Sequence, residues 1–192
     1  MTARMLRRWG LPAPGDSKKT RGRVMVGGGS LRSPGALVLA GEATLRVRAG
    51  RLGVVAPASI QVPVGLRLPE AGSFAFGEQE SLDDATSDEI SNADCVLIGP
   101  GFDDPEATRR GLSAIVEAMA DTTPLVLDAF ALGVLPDVDR RSLPSQLVLN
   151  PNREEASILL GRRLGDDLES DLTLIARRYD AVVNCYGPTI VP

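Results

Sequence analysis

Short apolar runs alternate with stretches of helical periodicity from Arg23 to Cys185, and that alternation leaves few folds open. Strands that alternate with helices build βαβ units and a mostly parallel sheet. Parallel strands are buried on both faces, so they read as unbroken apolar runs. Arg23–Val26, Leu52–Ala56, Asp94–Ile98, Pro124–Leu127, Gln146–Leu149 and Ala181–Cys185 have that character. Between them lie helical patterns. Ser33 and Pro34 open one as N-cap and first residue, and Gly50 closes it after Ala49. Pro105–Ala120 carries Leu112, Ile115, Val116 and Met119 on one face. Arg153–Leu160 is closed by Gly161, and Leu168, Leu172, Ile175 and Tyr179 mark a last amphipathic helix. The Pro- and Gly-rich stretch 57–91 reads as a broken helix or loop, a short strand at Ser73–Phe76, and an acidic turn or helix around Ser81–Ile90. The fold class expected is α/β, a three-layer α/β/α domain.

Composition narrows the chemistry. The 192 residues suffice for one domain of ordinary size, with room for a flap. There is no histidine, so a His-based triad, His metal ligand or His general base is excluded. Cys95 and Cys185 stand far apart, which leaves neither a zinc frame nor a disulfide framework. Twenty-one Lys and Arg against 25 Asp and Glu give a net charge of −4, without the basic footprint of a nucleic-acid binder. Apolar runs such as Ala36–Ala40 are far below the length of a membrane span. The basic start, residues 1–10, lacks the apolar core of a secretory signal. Its arginines allow a transit peptide, but an N-terminal extension of a cytoplasmic chain is the plainer reading.

Ligands of open α/β sheets bind beyond the carboxyl ends of the strands. Here those ends carry Gly27–Ser30, Gly99–Gly101, Asp128, Asn150–Asn152 and Asn184–Pro188. Each alone could be an ordinary turn. Five at corresponding places favour a ligand-binding rim. The glycine run matches neither G-x-G-x-x-G, because position 32 is Arg32, nor the Walker frame. It can still bring backbone N–H groups close to an anion, or merely turn a strand into a helix. Gly99-Pro100-Gly101 offers a fixed backbone clear of side chains, suited to ligand contact or to a rigid turn. Asn152 and Glu155 are placed for a capping box, and equally for phosphate or hydrated magnesium at a helix N-terminus.

Taken in order, these motifs resemble those of the ADP/ATP-dependent NAD(P)H-hydrate dehydratases, carbohydrate-kinase-like members of the ribokinase superfamily. The block from Leu11-Pro12-Ala13-Pro14 through Arg21–Ser30 and Pro34-Gly35-Ala36 to Ala49-Gly50 carries the resemblance. Ile98–Gly101, Leu125–Ala129 and Asn150-Pro151-Asn152…Glu155 follow, covering about residues 11–190. The resemblance implies a ribokinase-like domain over 11–192, cytoplasmic and admitting a homo-oligomer, that repairs hydrated NADH or NADPH. ADP or ATP, with Mg2+, would phosphorylate the hydroxyl on the hydrated carbon, and phosphate would then leave. It implies that Ala36, Gly101 and Asn152 meet the hydrated cofactor. Tyr186, Gly187, Pro188 and Thr189 would meet the nucleotide, and Glu155 would reach magnesium through water.

The chain also departs from the family pattern. Thr-Pro-His stands as Asn150-Pro151-Asn152, and Asp-Ala-Asp-Ala-Leu as Asp128-Ala129-Phe130-Ala131-Leu132. Tyr186 stands where lysine is usual. The family's Gly-Thr-Gly-Asp motif, source of an anion hole and a general base, does not occur in these 192 residues. The expectation is therefore a domain incomplete at its C-terminal end, with one sheet face short of cover and no catalytic residue assigned. Two further readings stay open: a superfamily kinase acting on a small alcohol or vitamin, and a non-catalytic remnant or subunit.

Overall fold

The computed structural model describes residues 21–192, together with Arg4 and Arg8. The expected extension at 1–10 and the motif at Leu11–Pro14 therefore lie almost wholly outside the described residues. Eight strands form one sheet: β1 (Arg23–Gly27), β2 (Arg51–Pro57), β3 (Gly72–Phe76), β4 (Cys95–Ile98), β5 (Leu125–Asp128), β6 (Leu147–Asn150), β7 (Val182–Asn184) and β8 (Thr189–Ile190). Their order is β3-β2-β1-β4-β5-β6-β7-β8, parallel throughout except for the final β7–β8 hairpin. Among the described residues seven α-helices connect them: α1 (Pro34–Arg46), α2 (Ala58–Arg67), α3 (Asp84–Ser91), α4 (Pro105–Ala118), α5 (Phe130–Val134), α6 (Arg153–Leu160) and α7 (Leu168–Tyr179). Among the described residues no helix is long and apolar enough to cross a membrane.

Alternation along each strand divides the core in two. Met25, Val55, Val96, Ile98, Leu125, Leu127, Leu149 and Val183 point to one face, where α3, α4, α6 and α7 pack with Ile90, Leu112, Ile115, Leu159 and Leu172. Val26, Leu52, Val54 and Ala56 point to the other, under Leu37 and Val38 of α1 and Ile60 and Val64 of α2. Helices thus flank the sheet on both sides, as expected for three layers. The second layer is partial. In register with Val26 run Leu97, Val126, Val148 and Val182 on the α1/α2 face. Leu97 still packs on the smaller core. Val126, Val148 and Val182 are only half-buried, and no helix of the described residues covers them.

Two local expectations need correction. α2 is a continuous ten-residue helix through Pro63, where a break was expected. Pro63 is exposed, so the carbonyl group left without a partner faces water, while Ile60 and Val64 bury the opposite stripe. α1 ends at Arg46, not Ala49. Arg48 takes the left-handed turn at φ 77, and Gly50 already donates its N–H to Gly22 O at 2.9 Å beside β1.

Candidate functional site

From β1 the chain winds outward to β3, then returns to the far side of β1 as β4 and winds the other way. Strand order therefore reverses between β1 and β4, and the loops leaving these two strands lie at the switch point where such sheets bind ligands. The Gly27–Ser30 and Gly99–Gly101 segments leave those two strand ends. Gly29 N–H donates to Pro100 O at 2.8 Å and Gly99 N–H to Gly27 O at 3.1 Å, so the two turns are joined backbone to backbone. A side chain on Gly28 would run into the Pro100 carbonyl group. Gly101, at φ 84, lies against Gly29 and the start of α1, with Ala36 alongside. The structure thus brings Ala36 and Gly101 together, both half-buried.

The N-terminus of α1 opens at this switch point. Ser33 occupies the N-cap position, as expected, but its hydroxyl makes no capping bond. Its N–H instead donates to Ser30 Oγ at 3.1 Å. No acidic residue lies in the first turn, and Pro34 occupies the first position. Amide groups and the positive end of the helix dipole are left without a side-chain acceptor.

Asp128 ends β5 beside the Gly99 turn. Ala129 follows it at φ 49 and ψ −127, a conformation costly for a residue with a Cβ. Such strain, next to a half-buried carboxylate at a strand end, is characteristic of functional sites. Asn150 Nδ2 donates to Asp128 Oδ1 at 3.0 Å.

Asn152 and Glu155 form the complete capping box of α6. Asn152 Oδ1 accepts from the N–H groups of Glu154 and Glu155 at 2.8 and 2.9 Å, and Asn152 N–H donates to Glu155 Oε2 at 2.8 Å. Asn152→Ala is expected to lower stability by about 1 kcal/mol, read as a shift in the urea midpoint. Burial pushes the Glu155 carboxyl above the usual carboxylate range; the Asn152 N–H opposes this, and the charges of Asp128 and Glu154 add to it. The folded state therefore holds the Glu155 proton more tightly than the unfolded chain, and stability falls as pH rises through the raised value. Glu155→Gln, which keeps the cap, is expected to flatten that part of the stability–pH curve measured by urea unfolding.

Tyr186–Pro188 lie in the β7–β8 hairpin loop and Thr189 opens β8, four strands along the sheet from the β4 end that carries Gly101. Tyr186 is 74% exposed and, like Gly187, adopts positive φ. Thr189 Oγ1 donates to Asn184 Oδ1 at 3.0 Å. Among the described residues no group of three His, Cys, Asp or Glu side chains is placed to hold a metal ion. The sequence marked Asn184 only as part of a strand end. Its link to Asn150 depends on strand register, which only the fold supplies.

A profile of the NAD(P)H-hydrate dehydratase family matches residues 24–190. Over 170 residues, 84% of this chain, it is 38% identical to an ADP-dependent (S)-NAD(P)H-hydrate dehydratase of Xanthomonas campestris, of which it covers 56%. It is 30% identical over 192 residues to the bifunctional NAD(P)H-hydrate repair enzyme Nnr of Escherichia coli, of which it covers 34%. The chain thus spans little more than half the length of the first of these relatives and a third of the second. A ribokinase-like superfamily protein of Enterococcus faecalis superposes with a TM-score of 0.79 at 21% identity, covering 93% of this chain and 61% of that one. An ADP/ATP-dependent NAD(P)H-hydrate dehydratase of Bacillus subtilis, co-crystallised with ATP and Mg2+, gives 0.70 at 22% identity, with coverages of 93% and 62%. These likenesses show a ribokinase-like fold.

Proposed function

The chain belongs to the NAD(P)H-hydrate dehydratase family, and we propose that its strand-end crevice serves the nucleotide-dependent dehydration of hydrated NADH or NADPH. One observation carries this reading. The Gly99–Gly101 turn is seated on Gly27–Gly29 beside an α1 N-terminus that lacks a side-chain cap, at the point where strand order reverses. A hydrated dinucleotide is large and anionic. Backbone without side chains admits it closely, and free amide groups at a helix start receive its phosphates. Ala36 and Gly101 bind this substrate, with Asn152 at the edge of its site.

Adenine nucleotide lies against Tyr186, Gly187, Pro188 and Thr189. The name of the Xanthomonas relative and the ATP and Mg2+ of the Bacillus structure support a nucleotide with magnesium. The residues present fit such a group. Magnesium bound with a nucleotide is held largely by phosphates and water, with one or two carboxylates, and Glu155 offers one carboxylate through water. The nucleotide supplies the phosphoryl group that turns the substrate hydroxyl into a leaving group. This chain's residues hold and orient both ligands, and proton transfer is assigned to none of them.

Purified chain, hydrated NADH, ADP or ATP and Mg2+ are expected to restore the absorbance of reduced nicotinamide. Folded protein that restores none would sink the catalytic claim for this chain. Phosphorylation of a sugar or vitamin alcohol, with no action on hydrated NADH, would favour a kinase. Calorimetry that detects no nucleotide binding would leave a non-catalytic chain.

A further inference from the structure

The ends of β5, β6, β7 and β8 are joined by side chains as well as by backbone. Asn150 Nδ2 donates to Asp128 Oδ1 at 3.0 Å, Asn184 Nδ2 to Asn150 Oδ1 at 2.7 Å, and Thr189 Oγ1 to Asn184 Oδ1 at 3.0 Å. Asp128 and Asn150 are register partners, as are Asn184 and Thr189. All of these lie on the sheet face that α1 and α2 leave uncovered. The polarity of the row is set at its acidic end. An ionised carboxylate only accepts, so Asn150 must turn its NH2 to Asp128 and its oxygen to Asn184. Asn184 must then do likewise, and Thr189 must give its proton to Asn184.

We propose that Asn150 and Asn184 are positioning residues, forming a one-way hydrogen-bond relay that ties the hydroxyl of Thr189 to the carboxylate of Asp128. The proposal deepens the reading above and rests on its placing of nucleotide at Tyr186–Thr189. Asp128 is the natural receiver. Its carbonyl oxygen fills the space where Gly99 has no side chain, so its backbone is fixed to the turn assigned to the substrate, while its carboxylate is held by Asn150. A nucleotide that draws on the Thr189 hydroxyl changes what Asn184 can donate, then Asn150, then the orientation of the carboxylate. Each link polarises the next, and exclusion of water by a bound ligand strengthens all three.

The relay is tested first without ligand, from the nitrogen-15 spectra of the Asn150 and Asn184 side-chain amides. Thr189→Val is expected to move both, although Thr189 is hydrogen-bonded to Asn184 and not to Asn150. In an Asn184→Leu background the same change should leave Asn150 where it was. An Asn150 signal indifferent to Thr189→Val, or one whose response persists without Asn184, overturns the proposal. The second test is a double-mutant cycle on affinity for ADP with Mg2+, by calorimetry. Thr189→Val and Asp128→Ala together should depart by about threefold or more from the product of their separate effects. Asn184→Leu should abolish that departure. If Asn184→Leu does not fold, Asn150→Val opens the next link and serves in its place. Binding with a multiplicative cycle defeats the relay and leaves the functional reading standing. No binding defeats the functional reading, and the spectra then decide the relay alone.

Discussion

Gly99→Ala is expected to destabilise the protein by about 3–5 kcal/mol, at the extreme of single-residue effects. Gly99 has a φ of 132, which residues with a Cβ rarely adopt. A methyl group there would also run into the carbonyl oxygen of Asp128. Neither partner can retreat. Ile98 and Leu127 are paired in the β4–β5 ladder, and Gly99 N–H is bonded to Gly27 O at 3.1 Å. The Ala131 side chain closes the third side. The comparison is Gly133→Ala in α5, where a new methyl group meets nothing within 4 Å. There the expected change is a gain of up to about 1 kcal/mol, because alanine loses less conformational freedom than glycine in a helix. Urea unfolding of both variants checks the pair. A cost below about 1 kcal/mol for Gly99→Ala would mean that the Gly99–Asp128 contact is soft, and the crevice with it.

Much of this architecture was readable because a parallel strand is compelled to be apolar on both faces. Asp94–Ile98 and Gln146–Leu149 were located within a residue as Cys95–Ile98 and Leu147–Asn150. Helix starts were readable where a side chain makes the cap. Asn152 and Glu155 announced α6, and Gly161, at φ 78, its end. Readings failed where tertiary packing outweighed local preference. Pro63 sits inside α2 because Ile60 and Val64 hold the helix to the sheet. α5 left no mark of its own at sequence level, since five residues are too few to show a period.

The site was legible in its parts and not in its assembly. Asp128, Asn150 and Asn184 could each be placed at a strand end from the sequence. That they hydrogen-bond in a row follows from register, and register is set by which strands are neighbours. Likewise Gly28 and Pro100 are 72 positions apart in the chain, and nothing local says that one backbone rests on the other. The half-buried row Val126, Val148 and Val182 has the same origin. An apolar strand reads as buried on both faces, and the sequence pattern alone does not show which helix covers each face.

Ala36→Glu should separate what α1 does for stability from what it does for binding. Position 36 is the third residue of the helix, three after Ser33, and the first turn has no acid. A glutamate there would build the Ser-x-x-Glu capping box that α1 lacks and would favour the dipole. The expected gain is about 0.3–1 kcal/mol. The same carboxylate would stand beside Gly101 at the mouth of the crevice, where the proposed substrate brings its phosphates. Affinity for hydrated NADH is then expected to fall at least about tenfold, the factor that 1.4 kcal/mol of like-charge repulsion gives. The two effects have opposite signs, so a general loosening of the fold cannot imitate them. Urea unfolding reads the first and calorimetry with hydrated NADH the second. Raised stability with undiminished affinity would move the anion subsite away from α1. Lowered stability would mean that Ala36 is packed against the Gly101 turn too tightly for any side chain to be added, and that the helix start is closed to a ligand.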